Sequence, residues 1–155
     1  METLGKQTTT TIDGTTLHWA ELGKGRPLVM LHGLWDSLWT WRRVAPRLAR
    51  DRRVLLLDLP GHGLSGRPDA SYDLDWHAGL AGAWMDHLGL ENVDLVGHSF
   101  GGGVAQSLLL THHHRVRRLG LVASGGLGQE VSWALRLLTL PGVHNLVQPF
   151  IGLGT

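Results

Sequence analysis

The sequence predicts an α/β fold: a mostly parallel, doubly wound sheet with an N-terminal β-hairpin and helices on both faces. Three observations carry this. Four short apolar runs, PLVML, VLLL, VDLV and LGLVA, recur along the chain with helical segments between them. None of the runs alternates polar with apolar residues, as expected of strands buried on both faces of a parallel sheet. Turn residues gather at the ends of the runs, where many of the 22 glycines lie.

Each element follows from its own residues. Thr8 to Ile12 and Thr15 to Leu22 flank Asp13-Gly14, two β-prone stretches around a dipeptide that favours a two-residue hairpin turn. Pro27 to Leu31 is the first parallel strand. Ser37 to Arg50 reads as a helix, because Trp41, Val44, Ala45 and Leu48 recur at helical spacing. Its wet face takes an arginine cluster, Arg42, Arg43, Arg47 and Arg50, continuing to Arg52 and Arg53. Val54 to Leu57 is the next strand. Leu74 to Leu88 is a helix with Ala81, Trp84, Met85 and Leu88 on one side and Gly89 as its stop. Val93 to Val96 is a strand, Phe100 to Thr111 a helix and Leu119 to Ala123 a strand. Beyond Gly126 the pattern changes: Val131 to Leu140 reads as a short helix ended by Pro141-Gly142, and the apolar stretch Val143 to Ile151 follows. The expected organisation is a core over residues 1–126 and the start of a helical cap over 127–155.

Composition narrows the function. With 155 residues, 43% hydrophobic and 17% charged, the chain is long and apolar enough for a core. A net charge of +1 gives no general basis for binding nucleic acid. The absence of cysteine excludes disulfides, thiolate zinc sites and cysteine nucleophiles. The opening METLGKQTTTT lacks an apolar core of the secretory kind, and no apolar stretch reaches membrane-spanning length. A cytoplasmic protein without membrane or nucleic-acid partners is the expectation.

The chemistry centres on Ser99, within Gly97-His98-Ser99-Phe100-Gly101. It follows a strand and opens a helix, and ligands of open α/β sheets bind at the carboxyl ends of strands. A serine on a tight strand-to-helix turn has the context of a nucleophile elbow, with glycines where side chains would collide across the turn. The helix start adds free N–H groups facing any developing negative charge. The pentapeptide alone fits a plain turn equally well. An earlier strand end, LVMLHGLWDS, strengthens the catalytic reading. His32-Gly33-Leu34 lets the chain turn so that the N–H of Leu34, with that of Phe100, forms a two-donor oxyanion hole. Gly101-Gly102-Gly103 before a helix also suggests a phosphate cradle, but the Walker lysine and the G-x-G-x-x-G pattern are missing.

Three strand ends together, LHGLWDSLWTW, LDLPGHGLSGRP and LVGHSFGGGVA, resemble the α/β-hydrolase fold family in its capped, esterase-like branch. The resemblance runs from the hairpin to the entry of the cap, where LVASGGLGQEVSWALRLLTLPG also fits. It implies that Ser99 is the nucleophile and that Leu34 and Phe100 supply the oxyanion-hole N–H groups. It makes His32 a structural support of its loop and His98 a shaper of the elbow. Serine, where some relatives carry aspartate, argues against a haloalkane dehalogenase or epoxide hydrolase. It favours ester, thioester or amide hydrolysis, or C–C cleavage beside a carbonyl, on a small acyl substrate with no metal or organic cofactor.

The family's chain order is serine, then an acid, then histidine. After Ser99 the one acidic residue is Glu130, and the histidines are His112, His113, His114 and His144. His112 to His114 end a helix about 18 Å long that begins at Ser99, out of reach of its hydroxyl. Glu130 and His144 remain as acid and base candidates, neither at the family's spacing. Asp36, Asp58 and His62 lie near strand ends, and Asp58 is expected to stabilise its Pro60-Gly61 turn. Trp35, Trp39 and Trp41 suit either an apolar acyl pocket or helix packing. The expectation is therefore the N-terminal half of a serine hydrolase, with its acid and base elsewhere. The last strand would present an open edge to the remainder, to a complementing chain or to an oligomer. The alternative is a non-catalytic scaffold that binds a partner chain.

Overall fold

The computed structural model describes residues 4–126. Six strands form one sheet in the order β1-β2-β4-β3-β5-β6. They are β1 (Lys6–Ile12), β2 (Thr15–Leu22), β3 (Arg26–Leu31), β4 (Arg52–Leu57), β5 (Val93–His98) and β6 (Val116–Val122). β1 and β2 form the predicted hairpin, with Ile12 opposite Thr15. Asp13 and Gly14 both take positive φ, 46° and 76°, as a turn matched to strand twist requires. β2 joins β4 antiparallel, and β4, β3, β5 and β6 run parallel.

The apolar runs are explained by two cores, one on each face. Val29, Leu31, Leu55, Leu57 and Leu95 pack on one side against Ala81, Trp84 and Met85 of α2 (Leu74–His87) and Val104 and Leu108 of α3 (Phe100–Thr111). Their strand neighbours Leu28, Met30, Val54 and Leu56 face the other side and meet Leu38, Trp41 and Ala45. Successive strand residues point to opposite faces, so a strand covered on both has no place for polar alternation.

The predicted helix over 37–50 is broken in two. A single 3-10 turn covers Leu38–Trp41, and α1 is only Ala45–Leu48. Pro46 lies in the first turn of α1, where its missing N–H costs nothing, but it cannot continue a helix arriving from Trp41. Val44 consequently turns out to solvent instead of joining the core. Arg52 and Arg53 are not on a helix face either: they open β4, where Arg52 pairs with Asp94 and Arg53 with Glu21, each at 2.8 Å. β6 starts earlier than its apolar run and is only half covered, with Val122 48% exposed. It is an edge strand of the described sheet, opposite β1. A groove of about 390 Å³ lies between α1 and β5–β6, lined by Leu28, Leu48, Arg52, Asp94, Val96 and Gly120. The segments predicted over 131–140 and 143–151, and the 127–155 unit as a whole, lie outside the described residues.

Candidate active site

The strand order sets where a site can form. From β3 the chain passes to β4 on one side, and the later β5 lies on β3's other side. The loops after β3 and β5 therefore leave in opposite directions and open a crevice at their carboxyl ends. Ser99 stands in that crevice, between β5 and α3.

Its backbone has φ 51° and ψ −116°, a conformation that L-residues rarely adopt. Both of its backbone polar groups are held: the N–H donates to Val122 O at 3.1 Å, and the C=O accepts from Gly102 N and Gly125 N, each at 2.9 Å. The glycines make the turn sterically feasible. A Cβ at Gly97 would overlap the Gly101 carbonyl, and one at Gly101 would overlap the carbonyl of His32. At Gly33 an added Cβ would lie 3.2 Å from Ser99 Cβ and 3.1 Å from His98 Nδ1. The loop after β3 thus lies directly against the serine. No described hydrogen bond uses the N–H of Leu34 or of Phe100, the donors beside this contact.

Two of the surrounding histidines, His32 and His62, are hydrogen-bonded to backbone groups. His32 is fully buried; Gly33 O accepts from its Nδ1–H at 2.7 Å, and its Nε2 accepts from Leu59 N–H at 3.0 Å. That pair of bonds requires the neutral ring, and burial pushes its pKa down in the same direction. His62 donates from Nδ1 to Pro60 O at 3.0 Å and stacks on Phe100. His98 lies at a T-shaped angle to Trp41, its Nδ1 buried without a partner among the described residues. Asp36 accepts from Ser37 N at 2.7 Å. His112 to His114 lie at the far end of α3. No described histidine or carboxylate is hydrogen-bonded to the Ser99 hydroxyl. Among the described residues, no three histidine or acidic side chains cluster as metal ligands. Glu130 and His144 lie outside the described residues.

Asp58 does more than support its own turn. One carboxylate oxygen accepts from Leu38 N at 2.7 Å; the other accepts from Leu64 N at 3.0 Å and lies 2.8 Å from His18 Nδ1. It ties β2, the 3-10 turn and the loop after β4 into one support beneath the site. His18 and His77 were not legible as members of this support. His18 meets Asp58 only through the antiparallel β2–β4 pairing, and nothing local signals that pairing. His77 is buried on α2, 5.1 Å from the Phe100 ring, and faces the carbonyls of Asp73 and Pro60. On the rim, Leu34, Trp35, Trp39 and Leu64 are exposed, whereas Trp41 is core.

A β-hairpin leading into a parallel sheet, with a strained serine at its switch point, defines a hydrolase-type α/β scaffold. The sequence profile of the alpha/beta hydrolase fold family matches residues 26–149, and the chain belongs to that family. It is 44% identical over 125 residues to a 2-hydroxymuconate semialdehyde hydrolase of Pseudomonas sp. (strain CF600), covering 78% of this chain and 44% of that protein. It is 42% identical over 123 residues to the dihydrolipoyllysine-residue acetyltransferase component of the acetoin cleaving system of Pseudomonas putida, covering 78% of this chain and 33% of that one. Among solved structures, a haloalkane dehalogenase from Agrobacterium tumefaciens C58 superposes with a TM-score of 0.83 at 30% identity, over 96% of this chain and 54% of its own. The chain therefore spans less than half the length of these two curated relatives.

Proposed function

We propose that this chain carries the nucleophile and oxyanion hole of a serine hydrolase acting on small carbonyl substrates in the cytoplasm. The observation that carries the proposal is the strained Ser99 at the β5–α3 junction, pressed against Gly33. Ser99 Oγ attacks the substrate carbonyl carbon and its proton passes to a histidine base. The oxyanion takes hydrogen bonds from the N–H groups of Leu34 and Phe100. Collapse expels the leaving group, which takes up the proton and leaves an acyl group on Ser99. Water activated by the same base then releases the acid and restores the serine. The base and its orienting acid come from the full protein outside residues 4–126, because no described histidine or carboxylate is hydrogen-bonded to the Ser99 hydroxyl. No metal or organic cofactor takes part.

Similarity to relatives that hydrolyse 2-hydroxymuconate semialdehyde or bear acetyltransferase names supports chemistry at a carbonyl carbon. Esters, thioesters, amides and activated C–C bonds beside a carbonyl all fit it. A serine rather than an aspartate nucleophile argues against the dehalogenase chemistry of the structural neighbour. The test is Ser99→Ala in the full natural protein, assayed on an activated ester. The mutant loses about a thousandfold or more in kcat/KM; retained activity refutes the proposal. A second reading rests on β6 being an edge among the described residues: a non-catalytic scaffold that pairs there with another chain. Absence of hydrolysis by the wild-type protein, together with a stable complex through β6, is the outcome it requires.

A further inference from the structure

Gln106 lies on α3, seven residues beyond the nucleophile, and its side chain reaches back to the turn that follows β6. Its Nε2 is 2.8 Å from Gly125 O, 3.0 Å from Ser124 Oγ and 3.2 Å from Gly102 O. Two of these three acceptors are carbonyls, which face an NH2 and never an amide oxygen. Ser124 Oγ in turn donates to Gly125 O at 2.7 Å, closing a small ring of hydrogen bonds. Gly102 makes room for the arrangement, since a Cβ there would overlap Ser124 Oγ.

What this ring holds is the clamp on Ser99. Gly125 N–H donates to the Ser99 carbonyl, and the Ser99 N–H donates to Val122 O at the end of β6. The chain reverses between those contacts through Ala123, a non-glycine residue at φ 43°. A turn with that strain does not hold its shape unaided. The Gln106 amide binds it at two consecutive residues.

We propose that Gln106 is a positioning residue for the nucleophile. Its amide locks the 123–125 turn against α3, and that turn holds Ser99 at φ 51° from both backbone groups. This deepens the serine-hydrolase reading and rests on it. Loss of the lock lets the Ser99 backbone relax, which displaces Oγ without touching any group that contacts substrate. A misplacement on the order of 1 Å costs up to about a hundredfold in rate.

The experiment uses the full natural protein and two variants close in shape to glutamine: Gln106→Met, which removes the donors, and Gln106→Glu, which replaces them with acceptors. Each is treated with a fluorophosphonate, and the rate of covalent labelling at Ser99 is measured per folded molecule, beside kcat and KM for an activated ester. The expected result is a loss of about tenfold or more in labelling rate and kcat in both variants, with KM within about twofold of wild type. Wild-type labelling and kcat in folded variants overturn the role of Gln106 while leaving Ser99 as nucleophile. Absence of any Ser99 label in the wild-type protein overturns the parent reading instead. Should both variants fail to fold, Ser124→Ala removes one of the amide's partners and carries the test: slowed labelling supports the lock, and an unchanged rate refutes it.

Discussion

Ser99 keeps a backbone conformation that costs on the order of 1–3 kcal/mol for a residue with a side chain. Glycine accepts the same angles freely, so Ser99→Gly trades strain against unfolded-state entropy and comes out more stable by up to about 1 kcal/mol. Ser99→Ala keeps a Cβ and therefore keeps the strain. Thermal unfolding of the two variants separates these effects: both are inactive, Ser99→Gly melts above wild type, and Ser99→Ala melts level with it. Ser99→Gly melting below Ser99→Ala, as the unfolded-state entropy of glycine alone dictates, would mean that the turn stores no strain. At this scale much was legible from sequence. Gly97, Ser99 and Gly101 announce a tight turn by spacing alone, and Gly33 sits where the chain must pass close. His18, His77 and Gln106 gave no such signal, because their partners arrive from other elements: Asp58, Pro60 O and Ser124–Gly125.

Among the elements, the parallel strands were legible because apolar runs without alternation suit two buried faces. The split of residues 37–50 was not, although Pro46 marked the place: the periodicity of Trp41, Ala45 and Leu48 masked it. Three polar groups in these elements, Asp94, His32 and His77, make them sensitive to acid. Hydrogen bonds from Arg117, then burial and Arg52, act on Asp94, and the net effect holds its carboxyl below the usual aspartate range. Asp94 thereby ties β5 to β4 and β6. His32 and His77 are pushed below the ordinary imidazole value, chiefly by burial. All three groups bind a proton more weakly folded than unfolded, so stability falls as pH drops through each window. His32 and His77 act first, from about pH 6.5 downward, and Asp94 from about pH 4 downward. Denaturant midpoints measured from pH 8 to 3 are expected to fall in two stages, and Asp94→Asn to shrink the lower one, which Asp73 at the start of α2 shares through its hydrogen bond from Trp76 N–H. A midpoint that stays flat below pH 6.5 contradicts the buried neutral state of the two histidines.

For the molecule as a whole, the sheet brings together what the sequence kept apart. Residues 32–34, 58–65 and 97–101 meet at one end of the sheet because β3, β4 and β5 are neighbours. Around that end, Leu34, Trp35, Trp39 and Leu64 leave an exposed apolar rim suited to an acyl substrate or a covering segment. The three-motif pattern made this assembly legible as a family, whereas the substrate was not, since the rim shows polarity and no shape that selects one carbonyl compound. Of the proposed triad, only the nucleophile lies among the described residues. The proposed chemistry requires Ser99 to be an activated nucleophile. Its most direct test is mass spectrometry of the full natural protein after reaction with a fluorophosphonate. One adduct is expected, mapped to the peptide containing Ser99 and absent from Ser99→Ala. An unmodified Ser99 in folded protein, or an adduct that persists in Ser99→Ala, contradicts it.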